Sequence, residues 1–366
     1  MPQKVQRFFH RANRTLSLGC VDCPQKGYCG GLYADQGLFG CESLCHQCES
    51  AEACDFVCKK YPAKFFAHVR EIGGFDLNSL PRTAAQPFPE VPSVVPLIFD
   101  PYGRSSVLKA PAVAVKLSAL YSRRSGRLKV ESRADVARRF RFAEDAKLIV
   151  VGVDNDPAIE NFWVKARAAD IARQLAAIAP DLITTPNFSL PADVTRVDNI
   201  HAMKRIGMCF VEFRQAGLPA SLHLNARADR DWERWVEFVS LRDEIVSVTV
   251  EWDTGARIRE RGDWLFRKLQ ILATSIRRPL HLIMKGGDNY LPALSELFAS
   301  ITFIDSTSFM KTIQRYQLDN RASAKRSWRK VRTAAKEPLD DLFQFNVDNS
   351  RDVLQRTLRS KRKKAA

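Results

Sequence analysis

The chain has 366 residues, enough for one large domain or two ordinary ones and too many to need disulfide staples. With 45% hydrophobic and 27% charged residues and a mean hydropathy of −0.24, its composition is that of a soluble globular protein. No run of about 18 apolar residues is present to span a membrane, and the net charge of +16 favours a polyanionic partner through phosphate neutralisation and counterion release.

The amino terminus, MPQKVQRFFHRANRTLSLGC, is basic but has no apolar core segment and no small-residue cleavage site, so it does not read as a secretory signal. The expected location is a reducing cytoplasm, where clustered thiols serve metals or redox chemistry rather than structural disulfides. Eight of the nine cysteines follow at once. Cys20-x2-Cys23-x5-Cys29 is repeated as Cys45-x2-Cys48-x5-Cys54, which continues x3 to Cys58, and Cys41 lies between the sets. A two-residue gap lets neighbouring thiolates turn onto one centre, and eight thiolates complete two four-ligand sites. One partition joins Cys20, Cys23, Cys29 and Cys41, then Cys45, Cys48, Cys54 and Cys58. The spacing equally allows interleaved pairing, or a site that recruits His46. The x5 gaps suit one or two 4Fe-4S iron–sulfur clusters better than short zinc knuckles, with zinc as the alternative. Residues 20 to 60 lack the apolar periodicity to fold alone, so bound metal must supply the folding energy.

The pattern at 45 to 58 resembles the auxiliary iron–sulfur motif of the SPASM extension in radical-SAM enzymes, and CVDCPQKGYCGG (20 to 31) is similar again. The resemblance covers about 40 residues and implies auxiliary clusters. A competing frame, Cys41-x3-Cys45-x2-Cys48, has the spacing of the radical-SAM cluster itself, which implies an open iron that binds S-adenosylmethionine.

After a short helix in KFFAHVREIGGF comes a proline-rich connector, LPRTAAQPFPEVPSVVP (80 to 96), read as an extended linker. Strands are then expected at 96 to 99, 113 to 117, 147 to 153, 182 to 185, 221 to 224, 246 to 252, 280 to 284 and 300 to 304. Helical periodicity fills 132 to 143, 158 to 178, 199 to 215, 229 to 241, 256 to 276, 289 to 298 and 307 to 316. That rhythm means crossover units and a parallel sheet. Eight strands suggest an α/β TIM-like (β/α) barrel, an imperfect one because the first two strands stand too close for a crossover helix. A doubly wound open sheet is the alternative. Neither GVDNDP nor MKGGDN is a nucleotide-binding glycine loop. The expected domains are a Cys-rich metal-binding module (1 to 79), a linker (80 to 94), the barrel (95 to 320) and a basic helical C-terminal tail (321 to 366). That tail holds RASAKRSWRKVRTAAK and RSKRKK, and is the expected contact for nucleic acid. Trp328 within it could stack on a base.

In either architecture ligands bind beyond the carboxyl ends of the strands. The polar residues there are Asp100, Lys116, Asp154, Asp156, Asn187, Ser189, His223, Asn225, Glu251, Asp253, Lys285 and Asp305. Asp154, Glu251, Asp253, Lys285 and His223 are the candidate catalytic set. Carboxylates spaced i, i+2 share one side of an extended segment, where they split their pKa values for acid–base work or hold a divalent cation. Cys209, in the apolar stretch MCFVEF, is expected in the core. Residues 150 to 285 resemble an uncharacterised bacterial and phage family with a Pro-(Asp/Asn)-Phe-Ser-Leu core. Pro186, Asn187, Phe188, Ser189, Leu190, Asp193, Asn199 and Arg205 are the matching positions, and the resemblance implies an α/β barrel-like body without a known reaction. Two functions remain open: an iron–sulfur or zinc metalloenzyme acting on nucleic acid or nucleotides, and a non-catalytic zinc-dependent nucleic-acid-binding protein.

Overall fold

The computed structural model describes residues 62–191, 196–253, 256, 258–319, 326–332 and 337–359, with the backbone of a two-residue antiparallel pair, Thr15–Leu16 and Tyr33–Ala34. The eight candidate metal ligands, Cys20 to Cys58, lie outside the described residues, as do Asp193 and the terminal RSKRKK run after Arg359. The chain divides into two compact units, one of residues 1–82, 188–211 and 225–241 and one of 83–187, 212–224 and 242–366. Among the described residues no helix is long and apolar enough to cross a membrane.

The second unit contains a closed barrel of eight parallel strands: β1 (Val94–Ile98), β2 (Ala112–Lys116), β3 (Lys147–Val151), β4 (Leu182–Thr184), β5 (Ala220–His223), β6 (Ser247–Glu251), β7 (His281–Lys285) and β8 (Ser300–Asp305). Each strand pairs with the next, and β8 returns to β1 with Phe303 opposite Val94. Runs such as VVPLI and AVAVK are buried almost throughout, as parallel strands covered on both faces require. Helices follow most strands, including α2 (Arg133–Phe140), α3 (Ile171–Ile178), α4 (Arg196–Gln215), α5 (Asp229–Ser240) and α6 (Arg259–Ser275). This is the TIM-like α/β barrel expected, with every strand within two residues of its sequence range.

The barrel interior is chemically two-sided. Val95, Leu97, Ala112, Ala114, Ile149, Val151, Leu182, Ile283 and Ile304 form one apolar cluster. Phe88 and Val91 of the proline-rich connector pack against that cluster, and Phe88 stacks on His281 with ring centroids 4.1 Å apart at the amino end of β7. β4 to β6 contribute polar groups instead. The Thr184 hydroxyl accepts from the Gly152 amide at 2.8 Å, and the Ser221 and Thr249 hydroxyls bond to each other at 2.8 Å. A β-carbon on Gly152 would overlap the carbonyls of Thr184 and Thr185, so only glycine fits there.

The short gap between β1 and β2 is an irregular loop, as its length demands. A later element covers it: α8 (Asp340–Arg359), a helix the sequence reading assigned to the tail. α8 and α7 (Thr307–Ile313) pack against β1, with Phe343 and Leu354 buried. Asp340 accepts from the backbone amides of Ser105 and Ser106 at 2.8 to 3.0 Å, and Gln344 bonds both backbone groups of Lys109 at 2.9 Å. A hairpin, β9 (Tyr316–Asp319) and β10 (Ser327–Lys330), joins α7 to α8.

Asp305, 2% exposed at the end of β8, ties these parts together. It accepts from Arg326 at 2.7 Å, from Ser350 of α8 at 2.8 Å and from Ser308 of α7. Burial pushes its carboxyl up, but Arg326 and the two hydroxyls outweigh that and hold it below the ordinary carboxylate value. Asp305→Ala would leave Arg326 with the more exposed Asp288, 2.9 Å away, and should cost about 3 kcal/mol in urea unfolding, the low end of the range for breaking a buried ion pair. A loss under about 0.5 kcal/mol, the size of an ordinary surface substitution, would contradict this role.

Candidate functional site

Glu251 and Lys285 stand opposite each other in the β6–β7 register at the carboxyl mouth of the barrel. Lys285 follows Ile283 by two residues, so alternation points it the same way as that interior side chain. Its ammonium donates to Glu251 Oε1 at 3.3 Å and to the Asp253 carboxylate. Glu251 is 4% exposed, Lys285 12% and Asp253 41%. The buried carboxylate therefore fixes the lysine, and the open one meets solvent. Two glycines shape this corner. Gly286 and Gly287 have φ of +74° and +70°, and β-carbons on them would overlap Asp253 Oδ1 and the Trp252 ring. MKGGDN is thus a close-packing loop built around Asp253. Trp252 stacks on Tyr290, whose hydroxyl donates to Asp263 at 2.7 Å.

His223 ends β5, 1% exposed, in register with Thr249 of β6. Its amide donates to Thr185 Oγ1 at 2.8 Å, while its Nδ1 is buried without a hydrogen-bond partner. Burial, and then the Lys285 charge, push the imidazole down to about 3, so it is neutral at physiological pH. A neutral buried imidazole with a free nitrogen can give or take one hydrogen bond from a bound molecule.

Asp154 does not join this group, because β4 and β5 lie between β3 and β6. It forms a second centre with Lys116 at 2.7 Å and with the Ser118 hydroxyl. Burial raises its carboxyl, and the bonds from Lys116, Ser118 and the Asn155 amide hold it below the ordinary value. Lys116 also lies 4.9 Å over the Phe99 ring. Of the remaining strand-end residues, Asp100 caps a turn through the Tyr102 amide at 2.7 Å, Asp305 is the structural anchor above, and the Asn187 amide donates to the Gly152 carbonyl at 3.2 Å. Among the described residues no group of three or more His, Cys, Asp or Glu side chains is placed to hold a metal ion. The paired carboxylates face lysines instead of assembling around a cation.

In the first unit Phe188 and Pro191 meet residues of α4. The Arg205 guanidinium sits 4.1 Å over the Phe188 ring, and Asn199 donates to the Pro191 carbonyl at 3.1 Å. Asn225 donates to the Phe188 carbonyl at 2.8 Å and receives the Trp235 indole N–H on its own carbonyl at 2.8 Å. These residues, Phe188, Asn199 and Arg205, do packing work. Cys209 is fully buried, as expected of a core residue. The sequence reading missed a histidine pair, His68 of α1 (Pro62–Ile72) stacked on His201 of α4 at 3.9 Å, with Glu71 2.7 Å from His201 Nε2. Isolated histidines far apart in sequence gave no spacing signal. Ser118 was also missed, although it follows Lys116 by two residues and so carried a spacing signal. In comparisons with known proteins, no family model and no curated protein matches the chain.

The unfolded state binds a proton at His223 below about pH 6.5, where the folded state does not until about 3, so stability falls as pH drops through that window. His223→Gln should remove about 1.4 kcal/mol per pH unit from that slope. Denaturant titrations at pH 4.5 and 6.5 check it; equal slopes in both proteins would refute the buried neutral imidazole.

Proposed function

We propose that this chain is a metal–thiolate protein whose barrel performs proton-transfer chemistry on a phosphate-bearing substrate, a nucleotide or nucleic acid. The observation that carries the catalytic part is Lys285 gripped between buried Glu251 and exposed Asp253, with neutral His223 on the adjacent strand. Glu251 holds the ammonium in place. Asp253, the more open carboxylate, accepts the proton, and Lys285 donates a hydrogen bond to the oxygen on which charge develops. His223 orients the substrate from below through its unpartnered nitrogen.

The metal part rests on the donor set. Eight thiolates in two groups of four fit two 4Fe-4S clusters, or two zinc ions, and no harder metal. Bound there, clusters would supply electron transfer, whereas zinc would supply folding energy alone. The net charge of +16 and the basic 321 to 366 segment favour the polyanionic substrate.

A second reading, a non-catalytic zinc-dependent nucleic-acid-binding protein, draws support from the neutralisation of the strand-end charges. Lys116 is matched by Asp154, Lys285 by Glu251 and Asp253, and Asp305 by Arg326. In that reading the barrel is scaffold.

Anaerobic purification separates the two. The first reading expects brown protein carrying iron, and an Asp253→Asn variant that keeps its melting temperature but loses about 10²- to 10⁴-fold in turnover on a screened nucleotide or phosphodiester substrate. Colourless protein with about two zinc ions per chain, and no turnover to lose, would replace it with the second. Protein with neither metal, folded and indifferent to chelator, would overturn both.

A further inference from the structure

The most concentrated free charge among the described residues lies neither at the barrel mouth nor in the C-terminal segment, but in residues 122 to 141. This stretch, SRRSGRLKVESRADVARRFR, carries eight Lys or Arg against two Asp or Glu. Both acids are spoken for or remote from the excess: Asp135 caps α2 by a reciprocal box with Ser132 and pairs with Arg138 at 2.6 Å, and Glu131 is a single exposed charge. Arg133 pairs with Asp181 at 2.6 Å. The other six, Arg123, Arg124, Arg127, Lys129, Arg139 and Arg141, form no ion pair among the described residues, and all but Arg141 are exposed.

The backbone that carries them is tightly built. The Ser122 amide donates to the Arg127 carbonyl at 2.8 Å, the Gly126 amide to the Ser122 carbonyl at 2.7 Å, and the Lys129 amide to the Leu120 carbonyl at 2.8 Å. Gly126, at φ +72°, lies so close to the Lys165 carbonyl that a β-carbon would overlap it. Asn161 donates to the Arg123 carbonyl at 3.0 Å, and the Leu128 amide to Gln174 at 3.1 Å. The charges also converge: besides burial, it is Arg139 and Arg123 that depress the Lys129 ammonium. Like charges held together on a stiff turn, with no counterion, destabilise the free protein, and a polyanion relieves that repulsion.

We propose that the Ser122–Arg141 excursion after β2 is a docking surface for the phosphate backbone of nucleic acid, read without base specificity. Spaced point charges without exposed aromatic or amide side chains suit phosphates and not base edges. An anionic membrane is the poorer partner. Val130, Val136 and Phe140 of the segment are buried and Leu128 is half-buried, leaving no exposed large apolar side chain to insert between lipids. This surface uses none of Glu251, Asp253, Lys285 and His223, so either can fail alone.

The test is fluorescence anisotropy of the full-length, metal-loaded protein with a labelled mixed-sequence duplex DNA across about 50 to 200 mM salt. Three variants accompany it: Arg123→Gln/Arg127→Gln/Arg139→Gln, the same positions changed to Lys, and the tail variant Lys361→Gln/Lys363→Gln/Lys364→Gln. The glutamine variant should weaken binding about tenfold or more and flatten the log K against log salt slope by about 2 to 3. The lysine variant should keep the wild-type slope, and the melting temperatures should agree. Wild-type affinity in the glutamine variant would overturn the proposal, as would loss in the tail variant alone. Binding to phosphatidylserine vesicles with none to duplex DNA would also overturn it.

Discussion

A carboxylate on the inward side of a closed barrel cannot be left without a counterion, and the Glu251–Lys285 pair meets that constraint. Glu251 is almost wholly buried and stands opposite Lys285 in a parallel register that admits no slippage without turning every side chain of β7 to the other face. Once the lysine is fixed, Asp253 has a partner at the rim, the loop after β7 must be glycine to admit it, and His223 is kept neutral by burial and then by that lysine. The corner of the mouth follows from one buried acid.

The same reasoning separates structural from chemical charge in this chain. Asp305 is buried and engaged by Arg326, Ser308 and Ser350, so its role is to hold α7 and α8 over β1. Asp253 is partly open and shared with a lysine already held by another acid. A group whose bonds are saturated by the fold holds the fold; a group left open at the rim of the mouth is available to a substrate.

The sequence made the barrel legible because parallel strands are short, apolar and bounded, and because helices fill the intervals at their own period. Of the five candidates named from the rule that function gathers at carboxyl strand ends, Glu251, Asp253 and Lys285 share ion pairs. Asp154, named with that set, pairs with Lys116 instead, and strand-end position alone carries no information about which groups will pair. The sequence reading placed α8 in a basic helical tail and not against the barrel, because polar and basic flanks masked the apolar stripe of Phe343, Val347 and Leu354. The Ser122–Arg141 charges were overlooked for a related reason: net charge is visible in a sequence, but which charges find partners is decided only by folding.

A double-mutant cycle across Glu251 and Lys285 tests the central interaction most directly. Lys285→Met removes the ammonium that faces the buried Glu251 carboxylate and should cost about 3 kcal/mol or more. Adding Glu251→Gln to that variant removes the stranded charge and should recover most of the loss, a coupling well above the roughly 0.5 kcal/mol within which independent sites add. If the second substitution instead adds its own cost to the first, Glu251 and Lys285 act independently and the mouth is not organised around them.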